Sequence, residues 1–269
     1  MERINSWIRV SRGSPCPICR KRDWCCVTSD GSAACCMRVE SERRLGNGGW
    51  LHKLGTDSFR DPVMRTPPPP RRYLSSAAIG NSWARFALTT TDEQVAGLAE
   101  RLGVSSEALR ALGACWAWPH EAWGFPMFDG AENFAGLRLR SDEGEKWALR
   151  GGRQGIFIPS MELQGEVLVV EGPTDAAAAV SLGFYAIGRP SCTGGVREIA
   201  LLCRRIGIRR LSVLADHDGP GVSGARAFCG QIGLLARLVV TPAKDLREWV
   251  LNGGTRQAVE ACLTAANWK

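Results

Sequence analysis

Two short apolar segments in the second half of the chain are each followed by acidic residues. The segment VLVV at 167–170 leads into Glu171, and LSVLA at 211–215 leads into Asp216 and Asp218. If both segments are neighbouring strands of a parallel sheet, their ends lie about 5 Å apart. Three carboxylates at that distance repel one another unless a cation lies among them. Because Mg²⁺ and Mn²⁺ prefer oxygen ligands, the pattern predicts a divalent-metal site.

Glycines beside the second acidic segment allow a different interpretation. Gly219, Gly221 and Gly224 satisfy the G-x-G-x-x-G pattern of dinucleotide-binding turns. However, this segment is not the first strand of its unit, and no acidic residue for a ribose follows about 20 residues later. The two neighbouring aspartates would also repel a pyrophosphate. The metal site is therefore the favoured interpretation.

A purely structural role is the alternative for each acid taken alone. Asp175 and Asp218 precede or begin predicted helices, where a carboxylate commonly caps backbone N–H groups. Capping would be the simpler explanation for one such acid. The occurrence of acids at two strand ends favours the metal site.

A second candidate metal site lies near the N-terminus, where six of the eleven cysteines are concentrated. In a chain that stays inside the cell, such a cluster favours metal binding over disulfides. Cys16 and Cys19 are spaced to place two thiolates on one turn, as zinc sites require. The second pair must come from the doublets Cys25-Cys26 and Cys35-Cys36, and the spacing leaves open which members bind. His52 is a less favoured ligand.

The elements that position the acids follow from the alternation of apolar segments after residue 164. Apolar runs alternate with helical patterns four times, which predicts a parallel sheet flanked by helices. Ligands of such sheets bind beyond the carboxyl ends of the strands. The region 73–163 is predicted to be α+β, with two short helices over 91–112 interrupted at Gly103 and a hairpin that turns at Asp129-Gly130.

Charge and proline content divide the chain. Residues 57–72 contain four consecutive prolines, which favour an extended spacer, and the whole net charge of +7 lies in residues 1–72. A basic module attached to a neutral body suggests a polyanionic partner, although a solvated basic face is an equal alternative. The longest apolar runs fall short of the roughly 18 residues that span a bilayer, so we expect a soluble, cytoplasmic protein with no membrane partner.

The acidic motifs resemble those of a known family. EGPTD at 171–175, DHDGPG at 216–221 and Lys244-Asp245 are similar to the three motifs of the Toprim fold of bacterial-type primases, topoisomerases and some nucleases. The resemblance implies that Glu171 acts in acid/base chemistry at a 3′-hydroxyl and that Asp216 and Asp218 hold Mg²⁺ or Mn²⁺. It extends the metal role less directly to Asp175 and Asp245. Arg247 departs from the family, which often has another acid there.

The cysteine segment resembles the zinc ribbons of phage, plasmid and mobile-element primase-like proteins. The residues that carry the likeness are DWC at 23–25, CMR at 36–38 and NGGWLH at 47–52. It implies that Cys16, Cys19, Cys25 and Cys36 hold a structural Zn²⁺, with Cys26 and Cys35 as bystanders or alternates. Arg20, Lys21 and Trp24 are candidates for contact with single-stranded DNA, although a tryptophan beside a zinc knuckle usually packs against it.

The middle region resembles, more loosely, the part of bacterial-type primases that precedes the Toprim strands. The similarity lies in FPMFDGAENFAGLRLRSDEGEKWALRGG at 125–152 and implies contacts to phosphate or template by Arg138, Arg140 and Lys146. Lys244 is a further candidate in the third Toprim motif. The alternative is that these cations balance the nearby acids Asp142, Glu143 and Glu145.

Together these resemblances predict a zinc ribbon at 1–56, a proline-rich linker at 57–72, an α+β subdomain at 73–163 and a Toprim subdomain at 164–269. The predicted function is a DNA primase of the bacterial cytoplasm, associated with a chromosome, phage or plasmid, that makes RNA primers from NTPs on single-stranded DNA. A separately encoded helicase is expected, because no G-x-x-x-x-G-K-[ST] loop occurs. The alternatives are a Toprim nuclease and a catalytically silent DNA-binding protein.

Overall fold

A computed structural model of the chain describes residues 6–11, 13–45, 48–54 and 73–268. The chain divides into two compact units, Met1–Pro70 and Arg71–Lys269. The expected linker at 57–72 lies entirely outside the described residues, and the finer boundaries stay predictions. Within the described ranges, no helix combines the length and the apolar character needed to cross a membrane.

The first unit is built on a four-stranded antiparallel sheet with its strands in chain order. The strands are β1 (Trp7–Arg9), β2 (Cys26–Thr28), β3 (Ala33–Cys36) and β4 (Trp50–Lys53). Its buried apolar cluster is small and consists largely of cysteine: Val10, Cys16, Cys25 and Cys36. A core of this size cannot hold such a fold by burial alone, so a metal or another cross-link is required.

The second unit begins with three helices, α1 (Ser76–Thr89), α2 (Asp92–Leu102) and α3 (Ser106–Ala111). The interruption expected at Gly103 is confirmed, because this residue ends α2 in the left-handed conformation with φ +67°. The helices accompany an antiparallel sheet of β5 (Cys115–Ala117), β6 (Ala122–Phe128), β7 (Phe134–Arg140) and β8 (Lys146–Ala148). The β6–β7 pair is the expected hairpin. Helix α1 was not predicted.

The remainder is the α/β part, and its parallel sheet is confirmed. Its strands are β9 (Val167–Glu171), β10 (Tyr185–Arg189), β11 (Arg210–Ala215) and β12 (Leu235–Val240), in the order β10-β9-β11-β12 and all parallel. The connecting and following helices are α4 (Gly172–Ser181), α5 (Val196–Ile206), α6 (Gly219–Gln231), α7 (Leu246–Leu251) and α8 (Arg256–Ala265).

Both faces of the parallel sheet are covered, as the unbroken apolar strands require. Leu168 and Val170 of β9 pack into one cluster with the four consecutive buried alanines of α4. Val167 and Val169 point to the opposite face, where α5 and α6 form the second cluster. Side chains alternate along a strand, so Glu171 continues the face of α5 and α6 at the carboxyl edge of the sheet.

A partly buried ion pair stabilises the edge of this sheet where the strands begin. Arg237 on β12 is 8% exposed, pairs with Glu166, donates to the Ser212 hydroxyl over 2.7 Å and stacks on Trp268 at 4.3 Å. Glu166→Ala would leave the guanidinium buried without its carboxylate, which costs about 3 kcal/mol of unfolding free energy. Urea denaturation measures the loss. The exposed Glu162→Ala serves as the control, and an equally small effect of both changes would contradict this role.

Candidate zinc centre and candidate active site

Four cysteines of the first unit converge on one point. Cys16 and Cys19 lie on the turn after β1, Cys25 directly precedes β2, and Cys36 ends β3. Their Sγ atoms all lie within 4.8 Å of one another, with Cys19 to Cys25 at 3.7 Å and Cys25 to Cys36 at 4.0 Å. Zn–S bonds of 2.3 Å place tetrahedral sulfurs about 3.8 Å apart. The arrangement therefore fits one structural Zn²⁺.

Backbone donors surround these thiols. The N–H groups of Met37 and Val39 donate to the Sγ atoms of Cys25 and Cys36 over 3.4 and 3.3 Å. Burial raises the pKa of Cys25 in the metal-free protein. Burial alone would raise the pKa of Cys19. Hydrogen bonds from the Lys21 N–H and from neighbouring thiols outweigh burial and lower the pKa of Cys19 to about 7. Such N–H···S bonds orient ligands and stabilise thiolate charge.

The sheet explains which member of each cysteine doublet is used. Consecutive residues of a strand point to opposite faces, so Cys35 and Cys36 cannot both enter the cluster. Cys35 instead packs towards Gly49, where an added Cβ would lie 2.5 Å from its Sγ. Cys26 lies opposite Cys35 in the register of β2 and β3. His52 bonds to the Val39 carbonyl at 3.0 Å and lies outside the group.

The candidate template-binding residues lie on the surface of this unit. Arg20 and Lys21 are exposed on the turn that follows the first cysteine pair. Trp24 is 47% exposed and does not pack fully against the cluster. Its ring therefore remains available for stacking.

In the second unit, the acids of the first two motifs lie at one edge of the parallel sheet. Glu171 ends β9, and Asp216 follows β11, which pairs directly with β9. Burial, Glu171, Asp245 and Asp218, in that order, raise the pKa of Asp216 to about 7. Burial likewise raises the pKa of Glu171, and Asp218 adds to the increase. These carboxylates thus repel one another, as grouped acids without a cation must.

A second group of acids lies on the side of α4 and α7. Asp175 is 7% exposed in the first turn of α4 and accepts the backbone N–H of Arg247 over 2.9 Å. Burial, followed by the charges of Asp245 and Asp216, raises the pKa of Asp175 to about 8. Asp216 therefore interacts with both groups and joins them into one acidic site.

Two acids also have the capping role that the sequence left open. Asp218 caps α6 by accepting the Gly221 N–H over 2.6 Å, and Asp245 caps α7 by accepting the Glu248 N–H over 2.6 Å. Across the described ranges, the cysteines are the one group of three or more candidate ligands whose atoms all lie within 4.8 Å. The carboxylates lie at one edge of the sheet and affect one another's pKa values, but their oxygens are not gathered as closely as the four thiol sulfurs.

Cations of the antiparallel sheet face the acidic site. Arg140 and Lys146 are paired across β7 and β8. Burial lowers the pKa of Arg140, which also senses Asp175 and Asp245, and the partly desolvated ammonium of Lys146 senses Asp175 and Glu171. Of the three acids in the charge-balancing alternative, Asp142 pairs instead with Arg101 at 2.8 Å.

Arg138 and Lys244, the other two cations predicted from the sequence, differ in burial and in the turn that they adjoin. Arg138 is partly buried and donates to the Pro190 carbonyl over 3.4 Å. Lys244 is exposed in the turn after β12, where its carbonyl accepts the His217 N–H over 2.8 Å. The turn after β10, which contains Pro190, and the turn after β12, which contains Lys244, both lie at the carboxyl edge of the parallel sheet.

A cavity of about 220 Å³ adjoins the second group of acids. Leu98 and Trp123 belong to its apolar side, and its polar side is lined by three arginines, one acid and two hydroxyl residues: Arg101, Arg140, Arg247, Asp142, Ser141 and Thr174. Arg140 donates to the Thr174 hydroxyl over 3.4 Å. Arg101 is paired with Asp142, but Arg140 and Arg247 repel each other in the same small cavity, which favours an anionic ligand.

Sequence reasoning missed Arg189. This residue ends β10 in register with Glu171 and is completely buried. A charged residue at the end of an otherwise apolar strand, beside a strand that ends in an acid, is the signal that could have identified it.

The glycines after Asp216 have a packing role. A Cβ at Gly221 would lie 2.8 Å from the Asp216 carbonyl, and one at Gly224 would lie 2.5 Å from the Cys192 carbonyl. Helix α6 therefore packs against the backbone of Asp216 and of Cys192 more closely than residues with a Cβ would allow. This close approach accounts for two of the three glycines in the pattern.

The raised pKa values predict an unusual pH dependence of stability. Asp216 and Asp175 titrate near pH 7 and 8 when folded but near 3.9 when unfolded. The folded state therefore binds more protons in this interval, and stability falls as pH rises from about 4 to 8. Tm measured in EDTA should decrease across this range, and less so in Asp216→Asn. A parallel decrease in both proteins would contradict the assignment.

The chain is similar to known proteins in structure, whereas comparison by sequence finds no match. Neither a protein-family model nor a curated protein matches the chain significantly in sequence. The primase catalytic core of E. coli superposes with a TM-score of 0.56 at 15% identity, over 72% of this chain and 80% of that one. The chain has the fold of a primase catalytic core.

Two further structures agree with this primase-core fold. The catalytic domain of a DnaG primase bound to single-stranded DNA gives a TM-score of 0.57 at 16% identity, over 72% of this chain and 78% of that one. The zinc-binding and RNA polymerase domains of Aquifex aeolicus primase give 0.58 at 12% identity, over 73% and 63%. At these identities the likeness is one of fold.

Proposed function

We propose that this protein is a DNA primase that joins ribonucleotides on single-stranded DNA by metal-dependent nucleotidyl transfer. The observation that carries the proposal is the group of mutually repelling acids at the edge of the parallel sheet, with Asp216 linking Glu171 and Asp218 to Asp175 and Asp245. Together with the primase-core fold and the four-cysteine cluster, this arrangement is the one expected of a zinc-ribbon and Toprim primase.

The acids have the donor chemistry for divalent ions. Their carboxylate oxygens are the ligands that Mg²⁺ and Mn²⁺ prefer, and burial together with the charges of neighbouring acids raises the pKa of Glu171 and of Asp216, a charge pattern that a bound cation would offset. Bound ions would activate the attacking hydroxyl and offset the charge of the phosphates. Glu171, Asp216 and Asp218 would hold these ions, with Asp175 and Asp245 nearby; if more than one ion were bound, the acids would not all need to converge on one point as the four thiols do.

The remaining steps belong to protein side chains. Glu171, whose pKa is raised, is suited to accept the proton of the attacking 3′-hydroxyl. The 3′-oxygen then bonds to the α-phosphorus of the incoming nucleotide, the bond from that phosphorus to the β-bridging oxygen breaks, and pyrophosphate leaves. Arg140 and Arg247, at the neighbouring cavity, are placed to bind phosphate oxygens. Lys146 supplies further positive charge.

The zinc unit is proposed to bind the template. Its exposed Arg20 and Lys21 would contact phosphates, and the exposed ring of Trp24 would stack on a base. The similarity to a primase catalytic domain bound to single-stranded DNA supports this class of partner for the catalytic unit. The proposal also includes a separately encoded helicase as a partner and the cytoplasm of a bacterial cell as the location of the protein.

A nuclease with the same acids is the second candidate, because water in place of a 3′-hydroxyl would cleave a phosphodiester. The cations Arg140 and Arg247 beside a cavity favour the primase, since a triphosphate carries more charge than a phosphodiester.

One incubation distinguishes the two candidates. The full chain is mixed with a library of single-stranded DNA, labelled NTPs and either Mg²⁺ or Mn²⁺. New labelled RNA of a few nucleotides, absent in EDTA, supports the primase. Shortened DNA without labelled RNA supports the nuclease and refutes the proposal.

A further inference from the structure

Arg189 is the most deeply buried charged residue at the candidate active site. It is 0% exposed at the end of β10 and lies directly beside Glu171 in the register of β9 and β10. Side chains of paired residues in neighbouring strands point to the same face. The guanidinium accordingly lies on the α6 side, 5.2 Å from the ring centroid of Phe228.

The guanidinium of Arg189 is incompletely hydrogen-bonded. Nη1 donates to the Cys192 carbonyl over 2.7 Å, whereas Nε and Nη2 are buried and have no hydrogen-bond partner in the part of the chain that the structure describes. Burying a charge without a counter-charge is costly. An arginine is retained in such a place when nearby anions offset that cost.

The anions that face Arg189 are the acids of the proposed function. Glu171 and Asp216 favour its charged form, as do the thiols of Cys192 and Cys229, and Arg189 in turn favours the charged forms of Glu171 and Asp216. Glu171 is also approached by Lys146 from β8 and by Asp218 from α6. Because Nε and Nη2 bond to none of these groups, this attraction leaves the carboxylate oxygens available to another ligand.

We propose that Arg189 is a built-in counter-ion of the active site, a positioning residue that offsets the charge of Glu171 and Asp216 without occupying their oxygens. The inference rests on the proposed metal-dependent function and extends it to the regulation of metal binding. A fixed positive charge holds the acids together when no divalent ion is present. The same charge opposes the binding of that ion.

The test is Mn²⁺ binding to the full-length, zinc-loaded protein, measured by the loss of the free-Mn²⁺ EPR signal. Arg189→Met and Arg189→Gln remove the charge, and the glutamine can still donate a hydrogen bond to Cys192. Both should bind Mn²⁺ at least about tenfold more tightly than the native protein. Arg189→Lys, which keeps the charge, should remain within about threefold of it.

A matched control is Arg226→Met, which removes one exposed positive charge from α6 and should leave Mn²⁺ affinity unchanged. In zinc-loaded protein without added divalent ions, the two neutral Arg189 variants should have a lower Tm than native protein and regain it when Mn²⁺ is added. Unchanged or weaker Mn²⁺ binding by either neutral variant, with normal circular dichroism and zinc content, would overturn the inference.

Failure of the proposed function gives a different result. If the native protein binds no Mn²⁺ at these acids, the metal-dependent function is wrong, and Arg189 is then judged without added divalent ions alone. Adding Asp216→Asn to Arg189→Met should restore at least about half of the lost Tm, because one repelling charge is removed. No recovery in the double variant would show that Arg189 is not the counter-ion of these acids.

Discussion

Asp216→Asn should reduce primer synthesis at least about 100-fold, which corresponds to a loss of about 2.7 kcal/mol of transition-state stabilisation. Asp216 interacts with Glu171 and Asp218 on one side and with Asp175 and Asp245 on the other. An amide at this position removes a negative oxygen from both groups. The rate of labelled RNA formation on single-stranded DNA measures the effect.

The same substitution should leave the fold intact. It removes a carboxylate whose neighbours repel it, so Tm in EDTA at pH 8 should be unchanged or higher. Affinity for single-stranded DNA should also be retained. Asp92→Asn, at the exposed start of α2, is the matched control and should preserve synthesis. Normal synthesis by Asp216→Asn would remove this residue from the mechanism.

Cys25→Ser should release zinc and unfold the first unit. Cys25 is completely buried, lies within 4.0 Å of the Sγ atoms of both Cys19 and Cys36, and belongs to a core too small to fold without a cross-link. Because metal binding and folding are coupled in such units, the unit should lose its resistance to protease. Zinc content by mass spectrometry and limited proteolysis measure the two effects.

The neighbouring cysteine provides the control for this change. Cys26→Ser alters the same doublet but a side chain outside the four-cysteine group, so one zinc per chain should remain. Cys35 is a poorer control because it packs closely towards Gly49. Equal zinc loss in Cys25→Ser and Cys26→Ser would contradict the ligand assignment.

The sequence was sufficient to predict the parallel sheet, because β9 and β11 are largely apolar and each leads into acidic residues, with Glu171 ending β9 and Asp216 following β11. It also indicated the cysteine cluster but not, from spacing alone, which cysteine of each doublet faces it. Strand alternation makes that choice, since Cys36 points into the cluster while Cys35 pairs with Leu51 on the opposite face. The face to which a strand residue points can be assigned only when the register of that strand is known.

Helix α1 has a readable signal that the prediction overlooked, because Ile79, Trp83 and Phe86 recur at helical spacing after the cap residue Ser75. Other features depend on tertiary packing. Arg189 was overlooked because its significance comes from pairing with Glu171, which is distant in sequence. The capping bonds of Asp218 and Asp245 likewise coexist with their position at the acidic site.

The most direct test of the account is the location of bound Mn²⁺. Crystals grown with Mn²⁺ and a non-hydrolysable NTP, with anomalous diffraction collected above the manganese edge, would show where the ions lie. The account predicts peaks within bonding distance of carboxylate oxygens of Glu171 and Asp216, distinct from the zinc peak at the four cysteines. Well-ordered nucleotide with manganese bound elsewhere, and none at these two acids, would contradict it.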